Sequence, residues 1–249
     1  MKLETYLIND YDANSREFDQ VINRRLVYYF LKGVLDKFIA LILLILLSPF
    51  MLLIALAIIL DSPGPVFFVQ TRVGSIRKKT DGCIRWERSD FNFIKFRSMY
   101  INNDSSRHKA YVKALIENNE EKMADIQGCS TSIRKIVHDP RITSVGRFIR
   151  KFSIDELPQF VNVIRGDMSL VGPRPALPYE VELYKPWQIK RLNAKPGITG
   201  LQQVTARCTT EFDQQVFLDL EYIRKQSMWL DIEILLKTPF AVILAKGAG

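Results

Sequence analysis

The residues in this chain best suited to chemistry are the adjacent carboxylates Asp155-Glu156, within Ser153-Ile-Asp-Glu-Leu-Pro-Gln159. A basic stretch precedes them: His138-Asp-Pro-Arg-Ile-Thr143, then Gly146-Arg-Phe-Ile-Arg-Lys151. A carboxylate kept ionised at a helix N-terminus can attack phosphorus as a nucleophile, and its neighbour can hold a divalent ion. Arginines nearby can grip phosphoryl oxygens in pairs of hydrogen bonds. The chemistry needs these three parts together, because an anion attacking an anionic diphosphate must first overcome repulsion. A plainer reading of the same residues stays open. Ser153 and Glu156 match the S-x-x-E capping box, in which Glu156 only reaches back to a backbone N–H. Pro158 falls late for that arrangement, since proline suits the first helical position.

The cations have two readings as well. Arg147 and Arg150, and Arg147 and Lys151, share one face if the segment is helical, as an anion grip or as a solvated basic face. Lys95 and Arg97 point the same way if their segment is a strand, either towards a phosphate or simply outward. Gly172-Pro-Arg-Pro175 sets Arg174 between two prolines, either as a rigid binding edge or as a turn.

Bulk properties narrow the classes. The chain has 249 residues and a net charge of +8. That charge suits anionic lipid, a phosphorylated substrate or nucleic acid. No nucleic-acid motif accompanies it, so no nucleic-acid partner is expected. Three cysteines, Cys83, Cys129 and Cys208, lie far apart and form no CxxC unit, which argues against a zinc site or a disulfide framework. With only His108 and His138 available, acid–base and nucleophilic work falls on carboxylates.

Elements must position these groups. Residues 1 to about 15 read as irregular, and about Arg16 to Leu60 as helical, with a polar first part at an interface. Asp61-Ser-Pro-Gly-Pro65 stops that helix. Val66–Gln70 and Phe91–Phe96 read as short strands, with a polar loop following Gly74, and no large sheet is expected. Residues 101 to 130 read as helix plus mobile loop. Helices over Val145–Arg165 break near Phe152-Ser153. Pro173, Pro175 and Pro178 force an extended path. Tyr179–Ala194 reads as helix, Lys195-Pro-Gly-Ile-Thr-Gly200 as loop, and Glu211–Gln226 and Asp231–Lys246 as helices. The last is apolar for most of its length and is expected in the core rather than on a bilayer surface.

The solvent of the N-terminal part is set by Phe38–Leu60, 23 residues without a charge. At about 1.5 Å per residue they reach roughly 35 Å, enough to cross a bilayer. Ser48-Pro49 sits mid-run and favours a kink, and each half alone is too short to cross. Lys and Arg flank both sides, whereas a spanning helix biases them to one. The residues thus allow either a spanning helix or a re-entrant hairpin broken at Ser48 and Pro49. A late apolar run without a cleavage pattern does not read as a signal peptide.

Taken together, Ser48-Pro49, Ser62-Pro-Gly-Pro-Val-Phe-Phe68 with Gln70, Arg72 and Gly74, Lys95-Phe-Arg-Ser-Met99, Asp139-Pro-Arg-Ile-Thr143, Asp155-Glu-Leu-Pro-Gln159, Asp167-Met-Ser-Leu-Val-Gly-Pro-Arg-Pro175 and Lys195-Pro-Gly-Ile-Thr-Gly200 occur in order. This series resembles the bacterial sugar transferases, the monotopic phosphoglycosyl transferases, over residues 30 to 240. The resemblance implies transfer of a sugar 1-phosphate from a nucleotide diphosphate sugar, usually a UDP-sugar, to polyprenyl phosphate, usually undecaprenyl phosphate, with UMP leaving. It implies a nucleophile at Asp155 that forms a covalent phosphosugar intermediate, Glu156 as its partner, and Mg²⁺ held by both. It assigns Lys95, Arg97, Arg141, Arg147 and Arg150 as a group to the diphosphate, and Arg174 and Pro175 to the nucleotide end. It favours the hairpin broken at Ser48-Pro49.

The expected architecture is therefore mostly α with a few short β-strands. Residues 1–61 form an N-terminal segment and re-entrant membrane helix hairpin. Residues 62–249 form a cytosolic, membrane-associated catalytic domain with amphipathic interfacial helices, at the cytoplasmic face of the bacterial inner membrane. C-terminal helices leave room for a homodimer. Two departures from the family pattern stand out: Gln202 occupies a position where Trp is common, and the segment from Tyr100 to Val137 is long. The competing class is a non-enzymatic, membrane-anchored module whose basic face binds anionic lipid or a partner enzyme.

Overall fold

The computed structural model describes residues 25–80, 83–101, 104, 106–127, 139–205 and 210–243. Expectations for residues 1–24, for His138, Cys129 and Cys208, and for the final residues to Lys246 lie outside these.

Helix α1, Leu26–Asp61, runs unbroken through Ser48-Pro49. Pro49 has no N–H for the carbonyl of Ile45. The Ser48 hydroxyl donates to that carbonyl instead, at 2.8 Å. By length and composition α1 could cross a membrane, and 11% of its most apolar window is buried. Most of that window is exposed, while one side of α1 packs on the core through Ala40.

After the Pro-Gly-Pro stop come β1, Phe67–Thr80, and β2, Cys83–Phe96, paired antiparallel from Phe67↔Phe96 to Thr80↔Cys83. Each strand has 14 residues. This corrects the expectation of two short strands and an intervening loop. The distal half carries charge on both faces, so it shows no apolar alternation. Cross-strand pairs such as Lys78–Glu87 at 2.7 Å help hold it. The proximal half buries Val73, Phe91 and Phe93.

Two helices follow, α2, Ser106–Ile116, and α3, Glu120–Gln127, so part of the long 100–137 segment is helical. Then come α4, Ser144–Lys151, a 3₁₀ helix over Ile154–Gln159, and α5, Phe160–Arg165. The break at Phe152-Ser153 falls where the sequence places it. Strand β3, Ser169–Val171, pairs in parallel with β4, Gly197–Thr199. The expected loop at Lys195–Gly200 is thus partly strand. The expected helix over Tyr179–Ala194 is three pieces: α6, Pro178–Val181, α7, Pro186–Ile189, and a 3₁₀ turn, Lys190–Leu192. Pro186 removes the donor that a continuous helix would need there.

Helices α8, Leu201–Thr205, α9, Phe212–Lys225, and α10, Met228–Ile243, complete the chain. The main core joins α1, the hairpin, α5, β3 and α9 through residues such as Ala40, Phe93, Val163, Val171, Leu220 and Ile223. The expectation that α10 is core is corrected. It buries only Asp231 and Ile234, while Trp229, Ile232, Leu236, Phe240 and Ile243 face outward.

Polar contacts fasten α1 to this body at both ends. Arg25 donates to the carbonyls of Ile223 and Arg224 at the end of α9. Lys32 meets Asp231 at 2.9 Å, and Asp231 also accepts from Tyr28 and Tyr222. Ser169 donates to Asp36. At the other end, Ile54 and Ile58 pack on Phe96 and Ile149.

Candidate active site

Asp155 and Glu156 lie in the first turn of the 3₁₀ helix, which Ile154 opens after Ser153, whose φ of 55° is left-handed. A β-carbon makes that conformation costly. It turns the chain sharply between α4 and the dyad. Ser153 makes no side-chain capping bond, so the capping-box reading loses its first half. Asp155 is buried at 8% exposure. Burial, then the neighbouring Glu156 carboxylate, push Asp155 up to about 6, while Lys95, Arg150 and Arg174 pull the other way.

Lys95 reaches this place from the end of β2. Burial brings its ammonium down to about 8, with Asp155 opposing that shift and Arg150 and Arg72 adding to it. Arg150 arrives from α4, where burial lowers its guanidinium and Asp155 opposes. Thr143 caps α4 by accepting from Gly146 N–H at 2.9 Å. Gly146 itself lies against the carbonyl of Ser98, with no room for a β-carbon. That close approach holds α4 to the chain just beyond Lys95.

Arg174 stands opposite, its Nη2 at 3.6 Å from Glu156 Oε1. Its segment is clamped on two sides. Val73 N–H donates to Ala176 O, Gly172 N–H to Thr199 O, and Gly197 N–H to Pro173 O. Gly172 also meets the backbone of Lys195 and Gly197 too closely for any side chain. The Pro-Arg-Pro edge is therefore held rigidly. A small pocket at this edge is lined by Arg72, Phe93, Glu156, Gln159, Arg174 and Pro175, with Gly197 and Ile198 behind.

The remaining candidates fall elsewhere. The guanidinium of Arg97 donates to the carbonyls of Ile58, Ser62 and Pro63, closing the C-terminal end of α1. Strand β2 stops at Phe96, so the parity that pairs Lys95 with Arg97 on one face does not reach Arg97. Arg141 is locked in a fork on Asp139, with Nη2–Oδ2 at 2.6 Å, and its Nη1 donates to Asp104 O. It acts on Arg150 only through space. Arg147 is exposed on the outer face of α4. Gln202 is buried at the start of α8.

Three residues escaped the sequence reading as site components. Arg72, quoted there only within a motif, is lowered to about 10 by burial and then by Arg174, and its Nη1 donates to Pro175 O. Gln159 lines the pocket with its Nε2 unpartnered among the described residues. Asn162 is a hub. Its Oδ1 accepts from Ile94 N–H, and its Nδ2 donates to Asn92 O and Asp167 Oδ2. It thereby ties the helix after the dyad to the strand that carries Lys95. The alternation of β2 could have flagged none of these, because each acts across a long sequence separation.

Residues 27–245 match the family model for the bacterial sugar transferases. The chain belongs to that family. It is 46% identical over 186 residues to the galactosyl transferase CpsE of Streptococcus agalactiae, covering 74% of this chain and 36% of the relative. It is 39% identical over 219 residues to an undecaprenyl-phosphate galactose phosphotransferase of Salmonella typhimurium, covering 88% of this chain and 42% of the relative. Against the exopolysaccharide production protein ExoY of Rhizobium meliloti, identity is 35% over 213 residues, with 86% and 85% covered. This sugar transferase chain thus spans less than half of the first two relatives and most of the third.

Proposed function

We propose that this chain transfers a sugar 1-phosphate from a UDP-sugar to undecaprenyl phosphate, with Asp155 as nucleophile. A carboxylate oxygen of Asp155 attacks the sugar-bearing phosphorus. The bridging P–O bond breaks and UMP leaves with the electron pair. In the second half, an oxygen of the lipid phosphate attacks the same phosphorus and the Asp155 carboxylate departs. The observation that carries this reading is a buried carboxylate faced by Lys95, Arg150 and Arg174 from three separate elements. Those cations offset the repulsion between nucleophile and diphosphate. Arg174 and Pro175 would meet the nucleotide end.

Asp155 and Glu156 are the residues that would hold Mg²⁺, which when bound screens phosphate charge. Among the described residues no cluster of three or more candidate ligands occurs. Two carboxylates completed by substrate phosphate oxygens are a set this ion accepts, so the dyad fits it.

The reading also seats the chain on the cytoplasmic face of a bacterial membrane. The exposed apolar surface of α1 and the outward row Trp229, Leu236, Phe240 and Ile243 on α10 support it. Both ends of α1 are bonded to one folded body. A helix held that way, with that body on one side of the bilayer, would enter and return as one continuous helix bent at Ser48-Pro49. Single cysteines placed at the exposed Leu26 and Pro65, in a chain freed of Cys83, Cys129 and Cys208, should both react with a cytoplasmic reagent; one protected from it would refute this re-entrant course.

The deciding assay is UMP release from a panel of UDP-sugars with undecaprenyl phosphate and Mg²⁺, beside Asp155→Asn. Release with one sugar, lost in the variant, fits the proposal. Equal release from the variant would refute Asp155 as nucleophile.

A further inference from the structure

A second cavity, of about 410 Å³, lies among the first turns of α1, the hairpin and the chain around β3. It shares no lining residue with the pocket at the dyad. Phe30, Trp86 and Met168 give it an apolar lining, and Lys37, Arg77 and Lys195 give it three cations. The ammonium groups of Lys37 and Lys195 both lie within 3.8 Å of where a β-carbon on Gly166 would stand. Burial, then repulsion from Lys37, hold the Lys195 ammonium below its usual range, with Asp36 and Asp167 opposing. Arg77 Nε and Nη2 are buried without a hydrogen-bond partner among the described residues. Its guanidinium stacks over Tyr29 at 4.1 Å.

Lys32 also lines this cavity, but Asp231 and Asp36 already pair with it. Among the described residues the other three cations have no carboxylate within 4.0 Å. Lys37 is exposed, but Lys195 and Arg77 are half-buried, and an anion that joins them offsets the cost of that burial. The anion must also suit aromatic walls and an opening onto α1, where Phe30 and Val34 are exposed. An amphiphile with an anionic head meets both demands.

We infer that this cavity seats the phosphate head group of an anionic bilayer phospholipid, with its acyl chains along the exposed face of α1. The inference rests on the membrane reading above. The acceptor lipid phosphate is the weaker occupant, because it must reach Asp155 and the two cavities have no wall in common.

The test is native mass spectrometry of the full chain in mild detergent, titrated with phosphatidylglycerol and with phosphatidylcholine of the same acyl chains. Phosphatidylglycerol should be retained roughly 30-fold better, as two lysines near a head group would give. Lys37→Gln/Lys195→Gln should abolish the preference, and Lys37→Arg/Lys195→Arg should keep it. The Gln pair relieves a like-charge repulsion, so it should melt no lower than the parent. Its loss of preference is then separable from unfolding. Equal retention of both lipids, or a preference unchanged in the Gln pair, overturns the inference. So does displacement of phosphatidylglycerol by undecaprenyl phosphate at equal concentration, which would reassign the cavity to the acceptor. Failure of the membrane reading itself looks different: a chain that stays soluble without detergent and retains neither lipid.

Discussion

Around Asp231 the buried charges are closed off. Its carboxylate accepts from Tyr28 and Tyr222 and meets Lys32, with contacts between 2.7 and 2.9 Å. Around Asp155 the charges are gathered but held apart. They come from β2, α4 and the Pro-Arg-Pro edge, and they act on the carboxylate across space. The first cluster spends its charges on one another and fastens α1. The second leaves Lys95 and Arg150 without an ion pair within 4.0 Å among the described residues, and Arg174 meets Glu156 at 3.6 Å. Burial alone does not separate the two, since both carboxylates are less than a tenth exposed.

Paired substitutions probe that difference. Asp155→Asn should lower UMP release by roughly 10³-fold or more while leaving the melting temperature near that of the parent. Asp231→Ala should do the reverse, costing roughly 3–5 kcal/mol in denaturant unfolding, because buried Lys32 keeps only Asp36, 3.7 Å away, and Tyr28 loses its acceptor. Intact activity in the first or an unchanged midpoint in the second would erase the contrast.

A closer pair lies in one tripeptide. Lys95→Met should reduce kcat/KM by about 10²-fold with little loss of stability. Arg97→Met should instead destabilise the junction with α1, and its activity should fall only with the folded fraction. Equal kinetic losses per folded molecule would place both cations at the substrate.

The pH profile sharpens the description of the site. In the proposed reaction Asp155 must be ionised to attack, which favours pH above about 6. Lys95 must then stay protonated to hold phosphate, which favours pH below about 8. A bell-shaped kcat/KM profile with limbs near those values is expected, falling about tenfold per unit outside them. Lys95→Met should remove the alkaline limb and keep the acid one. The smallest effect belongs to Arg147→Gln on the outer face of α4: activity within about twofold and stability within about 0.5 kcal/mol of the parent.

These contrasts track what the sequence made legible. The dyad and the break before it could be read because both are local: two adjacent carboxylates follow a helix that ends at Phe152-Ser153. The basic residues were legible only as a set. Arg150 and Arg147 share a short helix, and packing of Ile149 and Gly146 decides which of them faces Asp155. Arg97 was misplaced because a parity rule was carried one residue beyond the strand. The long hairpin was missed since its outer half is charged on both faces, although Asp81-Gly82 is a strong turn signal. Helix α10 looked like core because its composition is apolar, and composition does not say which solvent an apolar face meets.

Lys95 and Arg97 are separated only by Phe96, yet one faces the dyad and the other grips the carbonyls that end α1. Two residues of nearly extended chain measure roughly 7 Å. That short span acts as a ruler between the last turn of the apolar helix and the Asp155 carboxylate. Whatever depth the helix takes in its surroundings, the site is carried along at a fixed height above it. In the proposed reaction a lipid phosphate would therefore be met at one level, without being lifted to the site.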